Sequence, residues 1–217
     1  VHIISTSLEL IYTELRWNCG TANLHPMRCM ILNRMKHILT TFISIFVISF
    51  GQAEKASQTA LAKAGDNRSE LETFISAAKK THGDFGYRAA VFLIEGMPES
   101  DLKQLDREFL MENLDLAMKA RAEFPWCAKL PEELFFNDVL PYASLDETRE
   151  SWRPEFYEKC RKLVAKAATP TEAVQALNSQ LFNLINVHYN TGRKKPNQSP
   201  SESIEQSRAT CTGLSIL

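Results

Sequence analysis

Cys211 is the residue whose type and setting point most directly to chemistry. A polar, turn-forming run from Ser199 ends at Thr210, and the apolar residues Leu214, Ile216 and Leu217 follow Cys211. Thr210 is placed to cap a helix N-terminus, which makes Cys211 the first residue of a new helix. There the unpaired backbone N–H groups and the positive end of the helix dipole favour a thiolate over a thiol. Arg208, three residues upstream, adds positive charge. A thiolate is the nucleophile of cysteine chemistry. Gly213 leaves the first turn without a side chain, so substrate or a neighbouring element can come close. The same local pattern also suits an inert, small buried cysteine beneath a helix start.

Attack on an amide creates an oxyanion, which needs fixed donors. The backbone N–H of Cys211 is one, and Gln198 or Asn197 on the preceding loop is the candidate for a second, unless these are simply solvated loop amides. Arg193, Lys194 and Lys195 form a short basic run, which reads as a solvated loop or as an attractor for an acidic substrate. The five cysteines fall at positions 19, 29, 127, 160 and 211 with no Cys-x-x-Cys pair, so a zinc site is not expected. Neither a metal nor an organic cofactor is required. Whether Cys127 and Cys160 form a disulfide is not decided by their spacing.

These residues have to be positioned by helices. The 217-residue chain is 44% hydrophobic and 24% charged, an ordinary globular balance, with few glycines and many helix formers. Its net charge of −1 offers no electrostatic case for binding nucleic acid. Asn67 with Glu70 has the spacing of a capping box, and Leu71, Phe74, Ile75 and Ala78 predict a helix over 68–80. His82-Gly83-Asp84 breaks it, and a second helix runs over 85–95. Ser100 or Asp101 caps a third region that extends to Glu123 through Leu105, Leu110 and Leu114. Further starts are expected at Pro131, Asp146 and Pro154, with Trp152, Phe156, Tyr157, Cys160 and Val164 forming an apolar stripe. Thr169-Pro170-Thr171-Glu172 combines an N-cap, an N1 proline and an N3 glutamate. Behind it Val174, Leu177, Leu181, Leu184 and Ile185 should form the inner face. A short extended piece over 186–189, a loop over 191–200, a short helix over 200–206 and a turn at Arg208 and Ala209 lead to Cys211.

The front of the chain reads differently. Ile38 to Phe50 is an uncharged apolar run, short for a membrane span, preceded by Arg34 and Lys36 and followed by Gly51-Gln52-Ala53. This predicts a secretory signal peptide over 35–53, cleaved after Ala53, and export to a periplasmic or extracellular compartment. Residues 1–34 then read as upstream sequence or a mis-assigned extension. The histidines and cysteines there (His2, Cys19, His25, Cys29) are not taken as a metal site. No stable membrane span is expected after cleavage.

The run Ser207-Arg208-Ala209-Thr210-Cys211-Thr212-Gly213-Leu214-Ser215-Ile216-Leu217 resembles the nucleophile segment of the transglutaminase-like superfamily in its secreted bacterial branch. The likeness extends back through the stretches 193–200, 134–144 and 119–126. It implies a mainly α chain: a helical N-terminal region over 54–168, then the first elements of a transglutaminase-like (papain-like) α+β domain over 169–217. It also implies that Cys211 is the nucleophile of an enzyme acting on amide bonds of a protein or peptide substrate. In that family a histidine and an aspartate further along the chain complete the set, so His188, which precedes Cys211, is in the wrong order. None of the six residues after Cys211 is His or Asp. The expectation is a chain cut after its first catalytic element, inactive as it stands. The alternative is a non-catalytic secreted helical binding module with an inert Cys211.

Overall fold

Residues 68 to 96 carry two helical stretches with glycines between them, and those glycines decide the element's course. In the computed structural model, which describes residues 57–192 and 198–217, this stretch is helix α1 (Arg68–Gly96), bent at Gly83. Gly83 has φ 65° and ψ −151°, a conformation that essentially only glycine adopts. A Cβ on Gly86 would lie 2.5 Å from both Ala78 O and His82 Cβ, so the bend also needs glycine one turn on. The break expected at His82-Gly83-Asp84 is therefore where the helix turns. The stretch 35–53 expected to be a signal peptide, residues 1–34, the basic run 193–195 and Asn197 all lie outside the described residues.

The single third helix expected from residue 100 is two. Helix α2 (Glu99–Leu102) ends before α3 (Arg107–Glu123), which is capped by Asp106 accepting from Phe109 N at 2.8 Å. Asp101 is no cap. It is buried within α2, where its Oδ2 accepts from Tyr142 Oη at 2.8 Å and Arg149 Nε at 2.7 Å. Asn67 does not cap α1 either. Its amide donates to Leu102 O and Leu105 O, both at 2.9 Å, closing the far end of α2, so no capping box forms. Tertiary partners outbid the local ones at both positions.

Short helices α4 (Pro125–Ala128) and α5 (Glu132–Leu134) then lead into a π-helical turn over Phe135–Val139. Pro131 occupies the cap position rather than the first helical one. The turn drives Phe135 and Phe136 against Phe85 and Phe92 in the main core, alongside Leu71, Phe74, Ile94, Leu110 and Leu114. Asp146 starts no helix, because the Glu147 carboxylate takes the Ser144 and Leu145 N–H groups, both at 2.8 Å, and holds the segment as a turn.

Helix α6 (Arg153–Val164) joins two cores. Tyr157 and Val164 enter the main one, while Phe156 enters a second with Leu181, Ile185, Val187 and Ala209. Helix α7 (Pro170–Leu184) begins as the sequence indicated: Thr169 accepts from Glu172 N at 3.2 Å, and Glu172 accepts from Ala168 N at 2.8 Å. Its buried stripe is Ala173, Leu181 and then Ile185; Val174 and Leu184, expected inside, are 55% and 45% exposed. Strand β1 (His188–Tyr189) pairs in parallel with β2 (Arg208–Ala209), His188 opposite Arg208, and helix α8 (Pro200–Glu205) lies in the crossover between them. The turn expected at Arg208 and Ala209 is thus a strand, entered through Ser207 at φ 50°. Helix α9 (Cys211–Ile216) follows. The described chain is mainly α, with this two-residue pairing as its strand structure.

Candidate functional site

Two short helices frame the site. Ser199 caps α8, its hydroxyl accepting from Glu202 N at 3.5 Å, with Pro200 at the first helical position. Strand β2 then delivers the chain to Thr210, whose backbone is extended, and Cys211 opens α9. The expected placement of Cys211 holds, but the cap does not. The Thr210 hydroxyl makes no bond to its own first turn. Gln198 takes that role from the loop: its Oε1 accepts from Gly213 N at 2.9 Å, from Thr210 N at 3.3 Å and from the Thr210 hydroxyl. Two of those donors are backbone N–H groups, so the atom facing the turn must be the amide oxygen.

Gly213 is the counterpart of this lock. A Cβ there would lie 2.8 Å from Gln198 Oε1 and 2.8 Å from Ala209 Cβ. The neighbour admitted by the missing side chain is the Gln198 amide. Cys211 is exposed at the turn's leading edge. Among the described residues, neither the Cys211 N–H nor the Gln198 Nε2 group donates a hydrogen bond. Arg208 donates through Nη1 to Gly192 O at 3.3 Å and is engaged with that loop.

The remaining candidates are dispersed. His188 is paired in register with Arg208, three residues ahead of Cys211, or about 10 Å of extended chain. His82 is half-buried, and its Nε2 lies 2.6 Å from Asp115 Oδ1. Cys127 is buried and Cys160 half-buried; both are free thiols, and burial pushes both above the ordinary thiol range. Cys211 is the exposed thiol of the three described. Among the described residues no group of three or more His, Cys, Asp or Glu side chains is arranged to hold a metal ion, and no helix is long and apolar enough to cross a membrane.

Sequence reasoning missed Glu150. Its carboxylate accepts from Ser201 N at 2.7 Å and from the Ser201 hydroxyl, tying the first turn of α8 to the segment before α6. A contact across that sequence separation leaves no local signal. In the helical region a separate cleft of about 310 Å³ is walled by Phe92, Leu93, Pro141, Tyr142 and Leu145, with Arg149 at its edge. No family model matches the chain, and neither a curated protein nor a solved structure matches it.

Proposed function

We propose that this chain carries the nucleophile segment of an exported transglutaminase-like cysteine enzyme acting on amide bonds, either peptide bonds or glutamine side chains. The reading rests on the resemblance around Cys211. It is supported by one arrangement: an exposed thiol opens a helix whose first turn is held by Gln198 Oε1, while the Cys211 N–H and Gln198 Nε2 donate no bond among the described residues. In the proposed reaction Cys211 Sγ bonds to the carbonyl carbon, and the carbonyl electron pair moves onto oxygen. The Cys211 N–H and Gln198 Nε2 receive that oxyanion. The thiol proton passes to a histidine oriented by an aspartate, and then to the departing amine as the C–N bond breaks. Water or an amine next takes the acyl group from sulfur.

In the resembled family the histidine and aspartate follow the nucleophile along the chain. Alkylation of Cys211 reads the reactivity of the thiol without requiring those two partners. The test is the rate of iodoacetamide alkylation at pH 7. Cys211 should react several-fold faster than glutathione, and Gln198→Ala should abolish the difference. Export over the 35–53 signal predicts a secreted protein beginning at Glu54, read by N-terminal sequencing.

A second reading, a non-catalytic helical binding module, is favoured by the cleft beside Tyr142 and Arg149. It predicts a Cys211 no more reactive than glutathione.

A further inference from the structure

We propose that Glu150 is a positioning residue for Cys211, carrying the rigidity of the helical region into the nucleophile's turn; this rests on the reading of Cys211 as the nucleophile. The first turn of α8 lacks one acceptor of its own. Pro200 has no N–H, Ser199 Oγ serves Glu202 N, and Ser199 O serves Ser203 N at 3.0 Å. The Ser201 N–H is left over, and one oxygen of Glu150 takes it at 2.7 Å while the other takes the Ser201 hydroxyl. Two bonds from one carboxylate fix both the place and the orientation of that turn.

Glu150 is itself held on the far side. Trp152 N donates to Glu150 O at 2.9 Å, and Trp152 Nε1 donates to Tyr142 O at 2.8 Å. Its neighbour Arg149 is bonded to the buried Asp101. From Ser201 only Pro200 and Ser199 intervene before Gln198, and proline stiffens that link by fixing its φ. Gln198 then holds Thr210 N and Gly213 N, the amides flanking Cys211. The path runs through bonded groups from Asp101 and Tyr142 to the turn that carries the thiol. Without Glu150, Gln198 hangs on a freed loop end and the Cys211 turn frays.

The experiment uses the full 217-residue chain, as wild type, Glu150→Ala, Glu150→Gln and Gln198→Ala. Three quantities are read: amide hydrogen exchange at Ser201, Thr210 and Gly213, the iodoacetamide rate at Cys211 located by peptide mass spectrometry, and the urea midpoint. Glu150→Ala should accelerate exchange about tenfold at all three amides and bring the Cys211 rate to within twofold of that of Gln198→Ala. Glu150→Gln should recover most of both, since an amide oxygen still accepts from Ser201 N. Acceleration confined to Ser201, or a Cys211 rate equal to wild type, overturns the proposal. A loss of folding in Glu150→Ala transfers the test to Glu150→Asp, whose shorter side chain withdraws the carboxylate from Ser201; an unchanged Thr210 and Gly213 exchange in that variant then overturns it. A wild-type Cys211 no faster than glutathione defeats the nucleophile reading instead, and the exchange rates still decide what Glu150 holds.

Discussion

Gln198 does two separable things through the two ends of one amide. Its oxygen closes the first turn of α9, and in the proposed reaction its nitrogen would face the oxyanion. Gln198→Glu separates them: a carboxylate still accepts from the turn, and its charge suits a helix N-terminus, but the donor is gone. Stability should therefore be kept, while on the proposed function turnover of an amide substrate falls about 10²- to 10³-fold. Equal turnover by Gln198→Glu and wild type would remove the nitrogen from the mechanism. At Gly213 the obstruction includes Ala209 Cβ, held by the strand, as well as a flexible amide. Gly213→Ala should cost about 1–3 kcal/mol by overpacking, read as a lower urea midpoint. Residue types pointed to Cys211 as a helix start and to a close neighbour at Gly213, each for a reason that shows in one letter, while Gln198 was a candidate, with Asn197, for its donor end rather than for the oxygen the turn uses. Which end of the amide meets the turn was not readable, since it depends on where a loop twelve residues upstream is folded back. Glu150 was beyond reach for the same reason.

Element by element, the readable boundaries are those where the chain is its own partner. Thr169-Pro170-Thr171-Glu172 caps α7 with its own side chains, so the pattern and the structure agree. Thr169→Ala should cost about 1 kcal/mol, measurable by urea unfolding. Gly83 was equally legible as a break, and its conformation makes the cost of a side chain larger: Gly83→Ala should destabilise by about 1–3 kcal/mol. An unchanged midpoint there would mean that the bend survives without its glycine. Asn67, Asp101 and Asp146 misled because each has the right type for a cap, while other groups organise the backbone around it. Asn67 is drawn to the end of α2 and Asp101 to Tyr142 and Arg149, and at Asp146 the neighbouring Glu147 organises the turn. Strand β2 was taken for a turn because two residues carry no periodicity; only pairing with β1 makes them a strand.

On the scale of the whole molecule, α6 is the piece on which both cores depend, and its attachment to α3 is titratable at both ends of the pH range. The Tyr157 hydroxyl donates to Glu123 Oε2, and Arg161 Nη2 donates to Glu123 Oε1 at 2.7 Å. The Tyr157 hydrogen bond, then Arg161, hold the Glu123 carboxyl below its ordinary range. A depressed folded-state value means that this contribution is complete above the unfolded carboxyl value of about 4.3 and fades as pH falls through the lower folded one. Burial, then the bond to Glu123, push Tyr157 up to about 12. Its contribution is accordingly complete below the unfolded phenol value of about 10 and is lost as pH rises through 12. The difference in urea midpoint between wild type and Tyr157→Phe should therefore be constant from pH 5 to 9 and shrink steadily above pH 10. With Glu123→Gln as the background, both the acid and the alkaline dependence should weaken together, because one carboxylate serves both partners. A Tyr157→Phe difference as large at pH 11.5 as at pH 7 would show that the clasp is not what fastens α6 to α3, and that apolar packing of Tyr157 against Phe124 suffices.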